Sequence, residues 1–203
     1  SRASSGICVI QFHDWVTKTR QIFQKQRVDI LIVFLGGNDK QAFFYPNRKF
    51  VPYSNEKSWV WFYKKRASDI ADIAYRNGAH VIWIGLPSMR SVNMNNHAIR
   101  VNKIYKEVSS IYDFDYISNW DWTVDQKGRY QPNIKDEKGR VHCSRSGDGV
   151  HFTMFGYMKV VDQVYPKIIE ITKNPYRKAE KKNFFQNPYF RRFSRPPSPR
   201  KRS

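Results

Sequence analysis

Asp148 and His151 lie three residues apart in the stretch "SGDGVHFT" (146–153), between glycines and ahead of an aromatic. A histidine acting as general base needs an acceptor that fixes its tautomer and stabilises the imidazolium. In Asp-x-x-His one tight turn can supply both side chains, and Gly147 and Gly149 free the backbone to make it. The plainer alternative is that Asp148 caps a helix starting near Thr153 and His151 only packs. A second candidate is Asn38 in "GGND" (36–39), just past an apolar run. A neutral amide at a rigid strand end suits an oxyanion donor, but Gly-Gly-Asn-Asp is also ordinary turn chemistry. The third is Gly6 in "SRASSG" (1–6), as a backbone N–H donor or as part of a flexible end.

These residues need a frame. "VDILIVFLGGND" (28–39) and "AHVIWIGLPSMR" (79–90) are continuous apolar runs ending in Gly or Gly/Pro turns, the pattern of strands buried on both faces. "FDYISNW" (114–120) is a weaker third strand. Helical faces are read over 14–26, 58–78, 97–112 and 153–172, with Asn77-Gly78 a C-cap signal and Pro166 a kink or break near the end of the last. Strands alternating with helices predict a three-layer α/β/α sandwich on a parallel, flavodoxin-like sheet. Ligands in such sheets bind at the carboxyl ends of the strands, where "GGND" and "GLPSMR" fall. Residues 40–57 form a long aromatic and basic insertion, either a surface loop packed by its own rings or a wall over the site. A polar loop spans 121–147, with a small hairpin predicted at "DQKGRYQPNIKDEKGR".

The chain has 203 residues and a formal net charge of +19, which implies attraction to polyanions. The expected organisation is one domain over 1–172 and a basic, disordered tail over 173–203. That tail holds eleven of the 36 Lys/Arg residues and a single acid, Glu180. No run approaches the ~20 apolar residues a membrane span needs. The two cysteines, Cys8 and Cys143, could form one bridge or remain two thiols. The histidines at 13, 80, 97, 142 and 151 show no paired ligand spacing, so neither metal nor other cofactor is expected.

Taken in order, "SSG" with "FHDW", "FLGGND" and "DGVHFT" with Gly156-Tyr157 resemble the Gly, Asn and His blocks of the SGNH (GDSL-type) hydrolases. More narrowly, "FHDW", "FLGGNDKQ", "VIWIGLPSMR", "VNKIY" and "DGVHFTMFGY" are similar to a bacterial cell-envelope branch of that superfamily, labelled a domain of unknown function. The resemblance spans roughly residues 1–172. It implies His151 as general base, Asp148 as its orienting partner, and Asn38 and the Gly6 N–H as oxyanion donors. It also implies a first strand ending in Gly-Asp-Ser, which this sequence lacks. Ser4, Ser5 and Ser88 are weak substitutes, because a nucleophile is normally held at a rigid strand-to-helix turn. The sheet is therefore expected without its first strand, with an open slot beside its neighbour. The chain is expected to be a fragment, poorly stable alone and inactive without the missing piece.

The activity implied is ester hydrolysis or O-acyl (acetyl) transfer on an acylated carbohydrate, in the periplasm or cell envelope. Two other classes stay open. One is a catalytically incomplete SGNH fold that binds an anionic polymer. The other is nucleic-acid binding through the basic, aromatic tail, which no recognised nucleic-acid-binding signature accompanies.

Overall fold

A computed structural model describes residues 5–44 and 50–173. Three strands, β1 (Ile30–Val33), β4 (His80–Ile84) and β5 (Asp115–Ile117), form a parallel sheet in the order β1-β4-β5. The register runs from Ile30 opposite His80 to Val33 opposite Trp83, and from Ile82 opposite Asp115 to Ile84 opposite Ile117. Side chains along β4 alternate between two cores. Val81 and Trp83 face the helices α2 (Glu56–Arg76) and α3 (Val92–Tyr112), through Ala67, Ile70, Ala71, Val101, Ile104 and Tyr105. Ile82 and Ile84 face α4 (Met154–Lys173), through Val160 and Val164. Burial on both faces is why this strand reads as an unbroken apolar run. The architecture is the expected α/β/α arrangement, with α1 (Trp15–Lys25) packed against α2.

Local chemistry accounts for most boundaries. Asp14 caps α1, accepting from the N–H groups of Val16 (3.1 Å) and Thr17 (3.4 Å). Asn55 caps α2 through Ser58 N–H, and α2 ends at Asn77, just before Gly78. Three expectations need correction. The paired strands are shorter than their apolar runs, because residues beyond Val33 and Ile84 turn into the loops at the sheet's C-terminal edge. Helix α3 starts at Val92 rather than 97. The added first turns carry Asn93, Asn95 and Asn96, of which Asn95 accepts from Met89 N–H (2.9 Å); further along, Asn102 both accepts from and donates to the Leu86 backbone. Pro166 does not break α4, which continues to Lys173. Pro166 and Asp162, whose carbonyl a non-proline N–H would have met, are both exposed, so water can serve the freed oxygen.

Among the described residues no strand pairs with the outer edge of the sheet. β1 is a terminal strand, and Ile32 and Phe34 remain 44% and 37% exposed. Beside them α4 presents a second apolar stripe to solvent: Met154, Tyr157, Met158, Val161 and Tyr165. In the 40–57 insertion, β2 (Phe43–Phe44) and β3 (Phe50–Val51) pair antiparallel. Phe43 is buried against Trp59, Phe62 and Tyr63, while Phe44 and Phe50 are exposed and lean on each other. The predicted hairpin region holds two turns, Asp125–Arg129 and Asp136–Arg140. The second joins β6 (Asn133–Lys135) to β7 (Val141–Cys143). The basic tail lies outside the described residues from 174 on. No described helix is long and apolar enough to cross a membrane.

Candidate active site

Asp148 and His151 form the pair that their spacing suggests. His151 Nδ1 lies 2.6 Å from Asp148 Oδ2, while Asp148 Oδ1 accepts from the N–H groups of Val150 (2.8 Å) and His151 (3.0 Å). Asp148 therefore closes its own turn and does not cap α4. At the head of that helix it is Thr153 Oγ1 that accepts from Gly156 N–H. One ring nitrogen of His151 is engaged and one is free: with Nδ1–H committed to Asp148, Nε2 has no partner among the described residues, and the side chain is 71% exposed. The bond to His151 and the two N–H groups hold the Asp148 carboxyl well below the usual carboxylate range.

Two arginines hold this turn. Arg90, at the end of the loop after β4, donates from Nη1 to Gly147 O (2.9 Å) and from its own N–H to Gly149 O (3.2 Å). Arg145 is 1% exposed and donates from Nη2 to Val150 O (2.6 Å) and Gly149 O (3.3 Å), over the Phe152 ring. Its Nε and Nη1 have no partner among the described residues, and burial pulls its pKa below the ordinary value. Gly149 has φ +72°, and a Cβ there would lie 2.5 Å from Arg90 Cβ. Nothing in the sequence marks Arg145 out from the other basic residues; its role depends on which loop folds over it.

The other histidines differ in kind. His80 and His142 also face carboxylates, Asp115 at 2.7 Å and Asp136 at 3.0 Å, but both do so through Nε2. His142 also stacks on Phe155. Only the His151 pair leaves Nε2 outward with Nδ1 engaged, as a general base requires.

The "GGND" turn follows β1. Asn38 is exposed, and its side-chain amide makes no hydrogen bond among the described residues. Asp39 points the other way and is fully buried. Its Oδ2 accepts from Ile7 N–H (2.9 Å) and Tyr63 O–H (2.8 Å), and its Oδ1 accepts from Cys8 N–H (2.9 Å). Burial pushes the Asp39 carboxyl up, against these donors. Gly6 is buried against Asp39 rather than forming a loose end. The sequence signal for Asp39 is an acid in the turn that follows an apolar run, in a strongly basic chain.

Ser5 is buried and accepts from the Trp15 indole (3.1 Å). Ser88 is fully buried and donates to Thr123 O, so neither presents an exposed nucleophilic hydroxyl. Ser4 lies outside the described residues. Cys8 is buried, Cys143 is exposed, and both are free thiols. Among the described residues no group of three His, Cys, Asp or Glu side chains could hold a metal ion.

No curated protein matches the chain. A family model described as "protein of unknown function (DUF459)" matches residues 1–167, so the chain belongs to the DUF459 family.

Proposed function

We propose that this protein is a serine-type ester hydrolase or O-acyl transferase of the SGNH kind, acting on an acylated carbohydrate of the cell envelope. The observation that carries the reading is the His151–Asp148 pair, with Nδ1 bound to the carboxylate and Nε2 unpartnered at the surface. A serine hydroxyl loses its proton to His151 Nε2 as it attacks the ester carbonyl. Asp148 holds the tautomer and stabilises the imidazolium. The Asn38 amide and the Gly6 N–H receive the oxyanion. The imidazolium returns the proton to the leaving alcohol as the acyl-enzyme forms. Water or a sugar hydroxyl then releases the acyl group. An open groove of about 820 Å³, walled by Trp122, Lys127, Lys135, Asp121 and the Arg129–Asp125 ion pair, offers an aromatic face and charges of both signs to a glycan. Trp122 stacks on Phe152, the residue after His151.

The test is turnover of a short-chain aryl ester by the protein expressed from its complete reading frame. His151→Ala is expected to abolish it, and Asn38→Ala to lower kcat about 10²–10³-fold. Equal turnover by all three proteins would remove both residues from the mechanism. A second reading, a binding module without catalysis, draws support from the buried hydroxyls of Ser5 and Ser88. It predicts no ester turnover and no covalent labelling by a fluorophosphonate, with retained affinity for an acidic polysaccharide.

A further inference from the structure

We propose that Asp39 is a positioning residue for the oxyanion hole, clamping the Gly6–Cys8 backbone beside Asn38. The inference rests on the ester-hydrolase reading for its catalytic half and on the hydrogen bonds alone for the clamp. One turn supplies two adjacent side chains with opposite directions. Asn38 faces solvent, where an oxyanion would sit, while Asp39 is fully buried and cannot touch a substrate. Two successive backbone N–H groups, of Ile7 and Cys8, end on its two oxygens at 2.9 Å each. Gly6 approaches so closely that a Cβ would lie 2.0 Å from Asp39 Oδ1. The carboxylate is itself held from behind. Tyr63 donates to Oδ2, and the Tyr105 hydroxyl lies 2.9 Å from that of Tyr63. Arg66 Nε closes the other side of the loop by donating to Ile7 O (3.2 Å). The peptides that follow Gly6 therefore cannot move relative to the Asn38–Asp39 turn without breaking buried hydrogen bonds, which anchors Gly6 from its C-terminal side. An oxyanion hole needs this rigidity, since its donors must already be in place when charge develops.

Asp39→Asn tests this in the protein expressed from its complete reading frame. The amide keeps the shape but turns an NH2 toward a backbone N–H, so one loop donor loses its acceptor. We expect kcat for the aryl ester to fall about ten- to a hundredfold with KM nearly unchanged. Exchange of the Ile7 and Cys8 amides should speed up about tenfold or more, while α2 and α3 amides stay protected. Asn38→Ala should cost less in the Asp39→Asn background than alone, because the hole is already displaced. Unchanged kcat with freed amides overturns the positioning role; unchanged amide exchange overturns the clamp. If the wild-type protein turns over no ester, the hydrolase reading fails, and amide exchange alone decides the clamp. Should Asp39→Asn not fold, Tyr63→Phe removes only the support behind Oδ2. It should lower kcat several-fold, and full additivity with Asn38→Ala would overturn the proposal.

Discussion

Acid should unlock the "GGND" turn through His97. This side chain is fully buried, with Nε2 2.8 Å from Gly36 O and Nδ1 3.2 Å from the Tyr53 hydroxyl. Gly36 begins the turn that carries Asn38 and Asp39. Burial pushes the imidazole pKa from 6.5 down to about 4; the bond to Gly36 opposes this, and the charges of Arg100 and Lys40 add to it. The unfolded chain takes up this proton near its ordinary value, and the folded chain does not until about pH 4. Between the two the unfolded state binds more protons, so stability falls as pH falls. The contribution is complete above about pH 7. Linkage gives a loss of about 2 kcal/mol by pH 5 and about 3 kcal/mol by pH 4. Urea unfolding at pH 7 and pH 5 measures it, with His97→Gln as the reference. Glutamine can still donate to Gly36 O but cannot titrate. The wild-type protein should lose about 2 kcal/mol more than the variant over this interval. Equal losses in the two proteins would refute the argument.

Gly149→Ala should destabilise the protein by about 2 kcal/mol or more, since it forces a side chain into the left-handed region and against Arg90. Chemical denaturation checks the stability, and loss of ester turnover reports displacement of His151. A variant as stable and active as the wild type would mean the turn relaxes freely. Cys143 should be the one cysteine that reacts with a maleimide in the native protein, because Cys8 is buried and burial beside Asp39 raises its thiol pKa. Mass spectrometry should show one adduct in buffer and two in denaturant; two in buffer would contradict the packing around Cys8.

Much of the frame was legible because it rests on local, repeating chemistry. The run "AHVIWIG" encodes burial on both faces, and Asn77-Gly78 marks the end of a helix. The Asp148–His151 pairing was legible for the same reason: both groups sit in one turn, and three residues of separation suffice for contact. Tertiary partners account for the misreadings. Asn95, in the first turn of α3, looks like a loop residue until the loop it binds is in place. Pro166 is tolerated because it lies on an exposed side of α4, which no count of residues reveals.

By itself the sequence determined the alternation of strands and helices, the loops that could bear chemistry, and the Asp148–His151 unit. Only the tertiary structure decided which member of each local pair does what. It turned Asn38 outward and Asp39 inward, and it buried Ser5 and Ser88. It set Arg90 and Arg145 under the histidine turn and, among the described residues, left the β1 edge unpaired and one apolar face of α4 exposed. The physical reason is range. Periodicity, caps and tight turns act over a few residues, and the sequence displays them directly. The direction of a side chain in an irregular loop depends on what packs behind it. For Asp39 those partners are Ile7, Cys8 and Tyr63, which lie 32, 31 and 24 residues away.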